Sequence, residues 1–203
     1  KILDKDFIRG LNAPKGMAVH GNTLFVSDID VVAVIDLTTK KVVARQPVQD
    51  SVFLNDVAVD DQGVVYVSDS RTGKVHRITG GNVETYLEGI EGVNGLYAAG
   101  KDLIVGSAKS LLRARDGKLT EIASGFESGI DGVEALAGGG YVVSCWVGLM
   151  YRVDDDGKVT RLLDTRGREP QLNTADIGYD KQTNIVYVPT FLSNSVRAYA
   201  LKK

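Results

Sequence analysis

The chain has 203 residues, 43% of them hydrophobic, a formal net charge of −2 and a single cysteine. This length suffices for one domain with a sizeable core, so we predict a single domain over residues 1–203. The composition excludes an internal disulfide. The scattered basic residues exclude the electrostatic footprint of a nucleic-acid-binding protein, and no apolar run approaches the roughly 20 residues that span a membrane.

The pattern of the first segment, Lys1–Leu11, predicts the outermost strand of a sheet. The inner strands of such a sheet do not precede this segment in the sequence. The last repeat of the chain ends one strand short. We therefore predict that Lys1–Leu11 pairs with that repeat and closes a ring of sheets, which removes two exposed edges. Because the chain begins without Met, we expect that a signal peptide, a tag or a longer segment has been removed. Exported, periplasmic and cytoplasmic locations all stay open.

The unit that the chain repeats is clearest in Ser51–Arg77 and the residues after it. Alternating runs occur at Val57–Val59, Val64–Ser68 and Lys74–Ile78, with Asp-x-Gly and Thr-Gly turns between them. Alternation at every second residue is typical of strands, and such turns are typical of tight hairpins. A fourth run, Asn82–Leu87, completes an antiparallel meander of about forty residues, the length of one propeller blade.

Five segments follow this pattern at steps of about forty residues. Each inner strand begins at a short polar anchor, and the anchors are Pro14–Gly16, Leu54–Asp56, Val93–Gly95, Ile130–Gly132 and Thr174–Asp176. Because one such sheet cannot bury both of its faces, several must pack around a common axis. The sequence therefore predicts an all-β fold, a β-propeller of four-stranded antiparallel blades with five repeats.

The middle residue of each anchor holds the same place in every repeat. Propeller geometry puts these residues around one mouth of the central channel, and they are Lys15, Asn55, Asn94, Asp131 and Ala175. Asn and Asp oxygens suit a hard cation such as Ca²⁺. The alternative is that these side chains only cap strand starts by accepting hydrogen bonds from backbone N–H groups.

The ends of the second strands add further polar groups near the same axis. Asp28 and Asp69 are the charged ones, and the strand register decides which of these groups face inward. Trp146 follows Cys145 at one such end. Its ring is either a stacking platform for a ligand or a packed aromatic between blades. A thiol nucleophile at Cys145 requires a nearby base, which the sequence does not indicate.

Three segments carry a resemblance to a known family: FLNDVAVDDQGVVYVSD, GVNGLYAAG and IDGVEALAGGGYVVSCWVGLMYRVDDDGKV. They resemble blades of the senescence marker protein/gluconolactonase family, with strictosidine-synthase-like and NHL propellers as more distant relatives, over roughly Pro14 to Leu201. In that family a six-bladed propeller holds one divalent cation that assists lactone or ester hydrolysis. The resemblance implies that Asn94 and Asp131 bind the metal and that Asn55 is the channel Asn.

The chain departs from that family in three ways. No segment matches the first blade of the family, which supplies a metal-binding Glu. Phe53 stands where the sugar lactonases of the family carry Arg, so we expect a substrate that is less anionic or differently held. Only five repeats are present, which leaves two alternatives open: a five-bladed relative, or a six-bladed chain shortened by its N-terminal blade.

The resemblance implies a metal-dependent hydrolase of small lactones or esters. One divalent cation, Ca²⁺ in preference to Zn²⁺ or Mn²⁺, polarises a carbonyl and activates a water. We expect Asp131, or an acidic neighbour such as Asp69 or Asp28, to take the proton and Lys15 to stabilise negative charge. The predicted substrate contacts are Asn55, Phe53, Asp69, Asp28 and Trp146. The open alternative is a non-catalytic propeller that binds a protein or a carbohydrate through its rim loops.

Overall fold

The computed structural model describes residues 4, 6–170 and 172–201. Within these residues the chain forms five successive antiparallel sheets and one short 3-10 turn, Phe191–Ser193. It divides into two compact units, Lys1–Ile90 and Glu91–Lys203. This division does not test the prediction of a single domain. In the described part of the chain, no helix is long and apolar enough to cross a membrane.

The first unit contains two four-stranded meanders. Sheet 1 consists of β1 (Pro14–His20), β2 (Thr23–Asp28), β3 (Val31–Asp36) and β4 (Lys41–Pro47). Sheet 2 consists of β5 (Leu54–Val59), β6 (Val65–Asp69), β7 (Lys74–Thr79) and β8 (Asn82–Leu87). Val32 of sheet 1 packs in one apolar cluster with Val57 and Val67 of sheet 2. The apolar residues of the alternating runs thus form a core between the two sheets.

The second unit contains three sheets. Sheet 3 consists of β9 (Leu96–Ala99), β10 (Asp102–Gly106), β11 (Ser110–Arg115) and β12 (Lys118–Ser124). Sheet 4 consists of β13 (Val133–Ala135), β14 (Tyr141–Cys145), β15 (Leu149–Val153) and β16 (Val159–Asp164). Sheet 5 consists of β17 (Gly178–Asp180), β18 (Ile185–Pro189) and β19 (Val196–Ala200). Sheet 4 packs against sheet 3 on one face and against sheet 5 on the other.

The described part of the predicted closing strand, Lys1–Leu11, is not a strand. Its apolar side chains Ile8 and Leu11 pack instead on a cluster of sheet 1, formed by Val26, Ala33 and Ile35. Covering this face buries apolar area that strand pairing at an edge would leave in water, which explains the difference. The rest of the predicted strand, Lys1–Leu3 and Lys5, lies outside the described residues.

The anchor glycines lie where neighbouring inner strands come very close together. A Cβ atom on Gly95 would lie 2.5 Å from the carbonyl oxygen of Asp131, and one on Gly132 would lie 2.7 Å from the backbone nitrogen of Ile177. Neither distance is sterically allowed. The glycines therefore let the polar residues beside them approach one another.

Serines of the second strands bridge adjacent sheets. The Ser144 hydroxyl accepts a hydrogen bond from the Gly132 N–H at 2.9 Å and donates one to the Ala175 carbonyl at 2.7 Å. Ser27 repeats this arrangement in the first unit, where its hydroxyl bonds to Gly16 N–H and to the carbonyl of Asn55. Both serines are fully buried. Ser27 and Ser144 are thus ties between adjacent sheets.

Ser144→Ala is expected to lower the free energy of unfolding by about 1–3 kcal/mol, because it leaves a buried N–H and a half-buried carbonyl without their partner. Urea denaturation followed by circular dichroism measures this change. The matched control is Ser124→Ala, whose hydroxyl donates to Glu121 on the exposed surface and whose loss is expected to cost under about 0.5 kcal/mol. Equal losses for the two variants would contradict the role of Ser144 as a tie.

Candidate functional site

Asn94 and Asp131, the two predicted metal ligands of the second unit, lie side by side. Asn94 Nδ2 donates a hydrogen bond to Asp131 Oδ1 at 2.8 Å. Each residue directly precedes an anchor glycine, and the close packing of Gly95 on the Asp131 backbone brings the two side chains together. Asp131 is only 8% exposed. The repeat therefore places an amide and a buried carboxyl group in direct contact.

The electrostatics of this site favour neutralisation of Asp131. Burial and, to a lesser extent, the nearby carboxyl group of Asp176 raise the pKa of Asp131 to about 7, against the opposing effect of the Asn94 hydrogen bond. Burial and Asp176 also raise the pKa of Glu134 to about 7. Carboxyl groups crowded in this way bind a proton or a cation more readily than a solvated carboxylate does.

Sequence reasoning missed Asp176 and Glu134 as members of this group. The anchor Thr174–Asp176 is visible in the sequence, but the repeat alignment selects Ala175 as the channel position. Asp176 is the next residue, and its carboxylate accepts a hydrogen bond from Ile177 N–H at 2.8 Å. The signal that could have found it is Asp56, which holds the same position in the second repeat and also bonds the N–H that follows it.

The donor set fits a hard divalent cation in part. Asn94 Oδ1 is buried, and no described residue donates a hydrogen bond to it. A flip of the amide exchanges its oxygen and nitrogen, so that either atom can face Asp131. Amide and carboxylate oxygens are ligands that Ca²⁺ accepts. Among the described residues, however, no three His, Cys, Asp or Glu side chains form a metal-binding group, so water or substrate would complete the coordination.

Asn55, the third predicted ligand, belongs to the first unit. Its Nδ2 atom donates to the Ser70 hydroxyl at 3.1 Å, and its backbone carbonyl accepts the hydrogen bond from Ser27. The side chain is partly exposed. These contacts hold the strand start in place, and metal or substrate binding by Asn55 stays a prediction.

Lys15 and Phe53 form a cationic and aromatic cluster in the first unit. Lys15 Nζ lies 5.4 Å from the centre of the Phe53 ring and donates to the Ala13 carbonyl at 3.1 Å. Arg71 Cζ lies 5.8 Å from the same ring. In the sequence, Phe53 stands at a position where the resembling family carries an arginine. In the structure, the turn between β6 and β7 nevertheless places the guanidinium group of Arg71 beside the Phe53 ring. Sequence reasoning missed Arg71, because only the folded turn places it there.

Asp28 and Asp69, predicted to contact substrate, are fully buried. The Asp69 carboxylate accepts hydrogen bonds from the backbone N–H groups of Val52 at 2.8 Å and Phe53 at 3.1 Å. Asp28 accepts one from Ala13 N–H at 2.7 Å. In this placement the two carboxylates tie loops to strand ends, and substrate contact by Asp28 and Asp69 stays a prediction.

Asp69→Asn is expected to cost about 1–3 kcal/mol of stability at pH 7, because charge-assisted hydrogen bonds are lost. Burial raises the pKa of Asp69, but the backbone donors outweigh it and hold the pKa below its ordinary value. A lowered folded-state pKa stabilises the protein above the unfolded-state pKa, and this stabilisation is lost as pH falls. Urea unfolding should therefore show the difference between wild type and Asp69→Asn at pH 7 and a smaller one near pH 3.

The control for this prediction is Asp61→Asn, in the exposed turn after β5. It should change stability by under about 0.5 kcal/mol at either pH. A constant difference between wild type and Asp69→Asn across the pH range would contradict the charge-assisted cap.

Trp146 lies at the end of β14 and is exposed. Its carbonyl accepts a hydrogen bond from Asn173 Nδ2 at 2.9 Å, and its ring contacts the Phe191 ring edge-on, with 6.0 Å between centroids. The Trp146 ring packs on Phe191 and is also exposed to solvent. Both predicted roles of Trp146, stacking platform and packed side chain, therefore stay predictions. The neighbouring Cys145 is buried, which raises the pKa of its thiol to about 12. A thiol with this pKa is not a nucleophile at neutral pH.

Solved structures identify the fold. This chain covers 76% of a chain in the crystal structure of a nidogen/laminin complex, over 94% of its own length, with a TM-score of 0.80 and 14% identity. It covers 70% of virginiamycin B lyase from Staphylococcus aureus, over 94% of its own length, with a TM-score of 0.66 and 14% identity. It also covers 58% of a chain of hydrazine synthase from Kuenenia stuttgartiensis, over 93% of its own length, with a TM-score of 0.71 and 18% identity.

These similarities establish the class of protein and nothing finer. Neither known protein-family models nor curated protein sequences give a match. At such low identities a structural likeness shows the fold alone. The chain is an all-β protein with the β-propeller fold, and its five sheets are five blades. The predicted fold class is thereby confirmed.

Proposed function

We propose that this propeller binds one divalent cation at Asn94 and Asp131 and hydrolyses small lactones or esters there. The observation that carries the proposal is a buried carboxyl group, that of Asp131, in contact with an amide whose oxygen accepts no hydrogen bond from a described residue. The resemblance of the Val-Asn-Gly and Ile-Asp-Gly segments to the gluconolactonase-like family supports it. We infer Ca²⁺ as the cation, because the donors are hard oxygens.

The chemistry divides between the cation and the chain. When bound, the cation supplies a Lewis acid that polarises a carbonyl and makes a water more acidic. Asp131 and Asn94 would hold it. A carboxyl group with a pKa of about 7 exchanges protons readily at neutral pH, and Glu134 has such a pKa without being a proposed ligand. On the ground of this pKa we propose Glu134 as the general base, and Asp131, the residue predicted for that role, as a ligand. The role predicted for Lys15 stays a prediction.

Isothermal titration with CaCl₂ tests binding. Asn94→Ala is expected to weaken binding about tenfold or more, since it removes one of two protein ligands. Asn82→Ala, at the exposed start of β8, is the matched control and should bind like wild type. Wild-type protein that takes up none of Ca²⁺, Mn²⁺ or Zn²⁺ would refute the cation site.

A pH-stat assay on simple γ- and δ-lactones tests hydrolysis separately. Wild type should release acid only with the cation present, and Glu134→Gln should bind Ca²⁺ but hydrolyse at least about a hundredfold more slowly, the usual contribution of a general base. Binding without hydrolysis of any lactone or ester would refute the enzyme and leave the cation site standing.

A second candidate function is non-catalytic binding of a protein or a carbohydrate. Trp146 and Phe191 favour it, because they form an exposed aromatic pair and such side chains anchor many interfaces. One of the structurally similar proteins was solved as a complex of nidogen with laminin. Trp146 is the one tryptophan in the sequence, so its fluorescence reports binding directly. A change with soluble oligosaccharides that Phe191→Ala weakens would support a carbohydrate site.

A further inference from the structure

Two cationic side chains of the first unit converge on one aromatic ring. Lys15 Nζ lies 5.4 Å and Arg71 Cζ lies 5.8 Å from the centre of the Phe53 ring. Lys15 lies in β1, Phe53 directly before β5, and Arg71 in the turn between β6 and β7. The three residues come from separate parts of the sequence, so only the fold brings them together.

A second arginine of the same unit shows what is unusual about this cluster. Arg77 Cζ lies 5.0 Å from the centre of the Tyr86 ring, and its guanidinium group forms an ion pair with Glu84 at 2.6 Å. Neither Lys15 nor Arg71 forms an ion pair with a carboxylate of the described residues. The positive charge at the Phe53 ring is therefore uncompensated, whereas the charge at the Tyr86 ring is neutralised.

The two cations also have unused hydrogen-bond donors. Lys15 Nζ donates to the Ala13 carbonyl at 3.1 Å, which leaves its other ammonium N–H donors open. Arg71 is exposed, and its guanidinium group donates to no residue in the described part of the chain. Both side chains can therefore donate hydrogen bonds to a ligand without breaking a contact.

The backbone around the cluster is held by a buried carboxylate. Asp69 is fully buried and accepts hydrogen bonds from the backbone N–H groups of Phe53 and Arg71, both at 3.1 Å. The Ala13 carbonyl holds the ammonium group of Lys15 from the other side of the sequence. The cluster is thus largely in place before a ligand arrives, which lowers the cost of ordering it on binding.

We propose that Lys15, Arg71 and Phe53 form a binding site for a small organic carboxylate. The carboxylate accepts charge-assisted hydrogen bonds from the planar guanidinium group of Arg71 and from Lys15. The half-buried Phe53 ring packs on the apolar body of the ligand. From the sequence, Phe53 predicts a ligand that is less anionic or differently held, and the folded position of Arg71 supports the second. The site uses none of the residues of the proposed cation site.

A ligand-observed NMR titration with sodium benzoate tests the proposal. A low-salt buffer freed of divalent cations on a chelating resin makes the result independent of the proposed cation site. Wild type is expected to bind benzoate saturably, with a Kd below about 10 mM, an affinity within reach of two charge-assisted contacts. Benzamide has the same ring without the charge and should bind at least about tenfold more weakly. Benzoate should also shift the amide signals of Phe53 and Arg71.

Variants of the two cations locate the site. Arg71→Gln and Lys15→Met should each weaken benzoate binding about tenfold or more, because each removes a charged donor. Arg71→Lys should lose less than Arg71→Gln, since it keeps the charge but not the planar fork. Arg77→Gln is the matched control, because it removes an arginine that also lies over a ring but is paired with Glu84. It should bind like wild type, and circular dichroism confirms that all variants fold.

Four results would overturn the proposal. Wild type that does not bind benzoate would remove the site, and equal affinities for benzoate and benzamide would show that the charge contributes nothing. Inorganic phosphate that binds as tightly as benzoate would show that the Phe53 ring does not select an organic ligand. A loss for Arg77→Gln as large as that for Arg71→Gln would show an effect of net charge rather than of this cluster. The calcium titration bears on the cation site alone.

Discussion

Asp131→Asn is expected to stabilise the cation-free protein at pH 8 by about 2–4 kcal/mol, a gain of several degrees in Tm. At this pH the Asp131 carboxyl group, whose pKa is about 7, must be ionised while buried beside Asp176. Asparagine keeps an oxygen that accepts the Asn94 hydrogen bond and removes the charge. Thermal unfolding in EDTA measures the difference, and Asp61→Asn is the control in an exposed turn.

The pH dependence of this effect has a definite sign. The folded-state pKa of Asp131 lies above its ordinary value of 3.8, so its stabilising contribution is complete below the unfolded-state pKa and is lost as pH rises through about 7. The wild type in EDTA should therefore lose stability between pH 5 and pH 8 more steeply than Asp131→Asn. Added Ca²⁺ should restore the wild type only. An Asp131→Asn protein that is less stable than wild type at pH 8 in EDTA would contradict both the burial argument and the cation site.

The fold is predictable from the sequence because its signals are local and repeated. Alternation in Val64–Ser68 and the glycine turns around it define strands without knowledge of any partner, and five repetitions make the interpretation robust. The bulges between third and fourth strands, for example at Val75/His76 and Met150/Tyr151, were not predictable, because they depend on how the outer strand bends over its neighbours. The N-terminal segment was mispredicted for a related reason, since packing of Ile8 and Leu11 overrides strand propensity.

The candidate site was predictable only where the repeat itself supplies the geometry. Asn94 and Asp131 hold equivalent positions in successive repeats, and their side chains are in contact. Asp176 lies one residue beyond the aligned position, so alignment alone passes over it. Asp69 has the same chemistry as Asp131 but accepts several backbone N–H groups. Residue type cannot separate a carboxylate that caps a loop from one that binds a ligand, because the number of nearby N–H donors appears only in the fold.

Gly95→Ala is expected to lower the free energy of unfolding by about 3 kcal/mol, because the new methyl group would lie 2.5 Å from the Asp131 carbonyl oxygen and 3.1 Å from the Gly132 Cα atom. All of these atoms belong to the backbone, so no side-chain rotation relieves the clash. The inner strands of sheets 3 and 4 must separate, which moves Asp131 away from Asn94. Cation binding should therefore weaken together with stability, and urea unfolding and calcium titration on the same sample measure both.

The matched control for Gly95→Ala is Gly138→Ala, at a turn where a Cβ atom would meet nothing within 4 Å and the backbone φ is not positive. Alanine there should be neutral or stabilise the protein slightly, because it reduces the freedom of the unfolded chain. If Gly95→Ala proved as harmless as Gly138→Ala, the inner strands could not be in contact at this point. The close approach of Asn94 to Asp131 would then lose its structural basis, since the glycine is what permits two successive sheets to bring their polar residues within hydrogen-bonding distance.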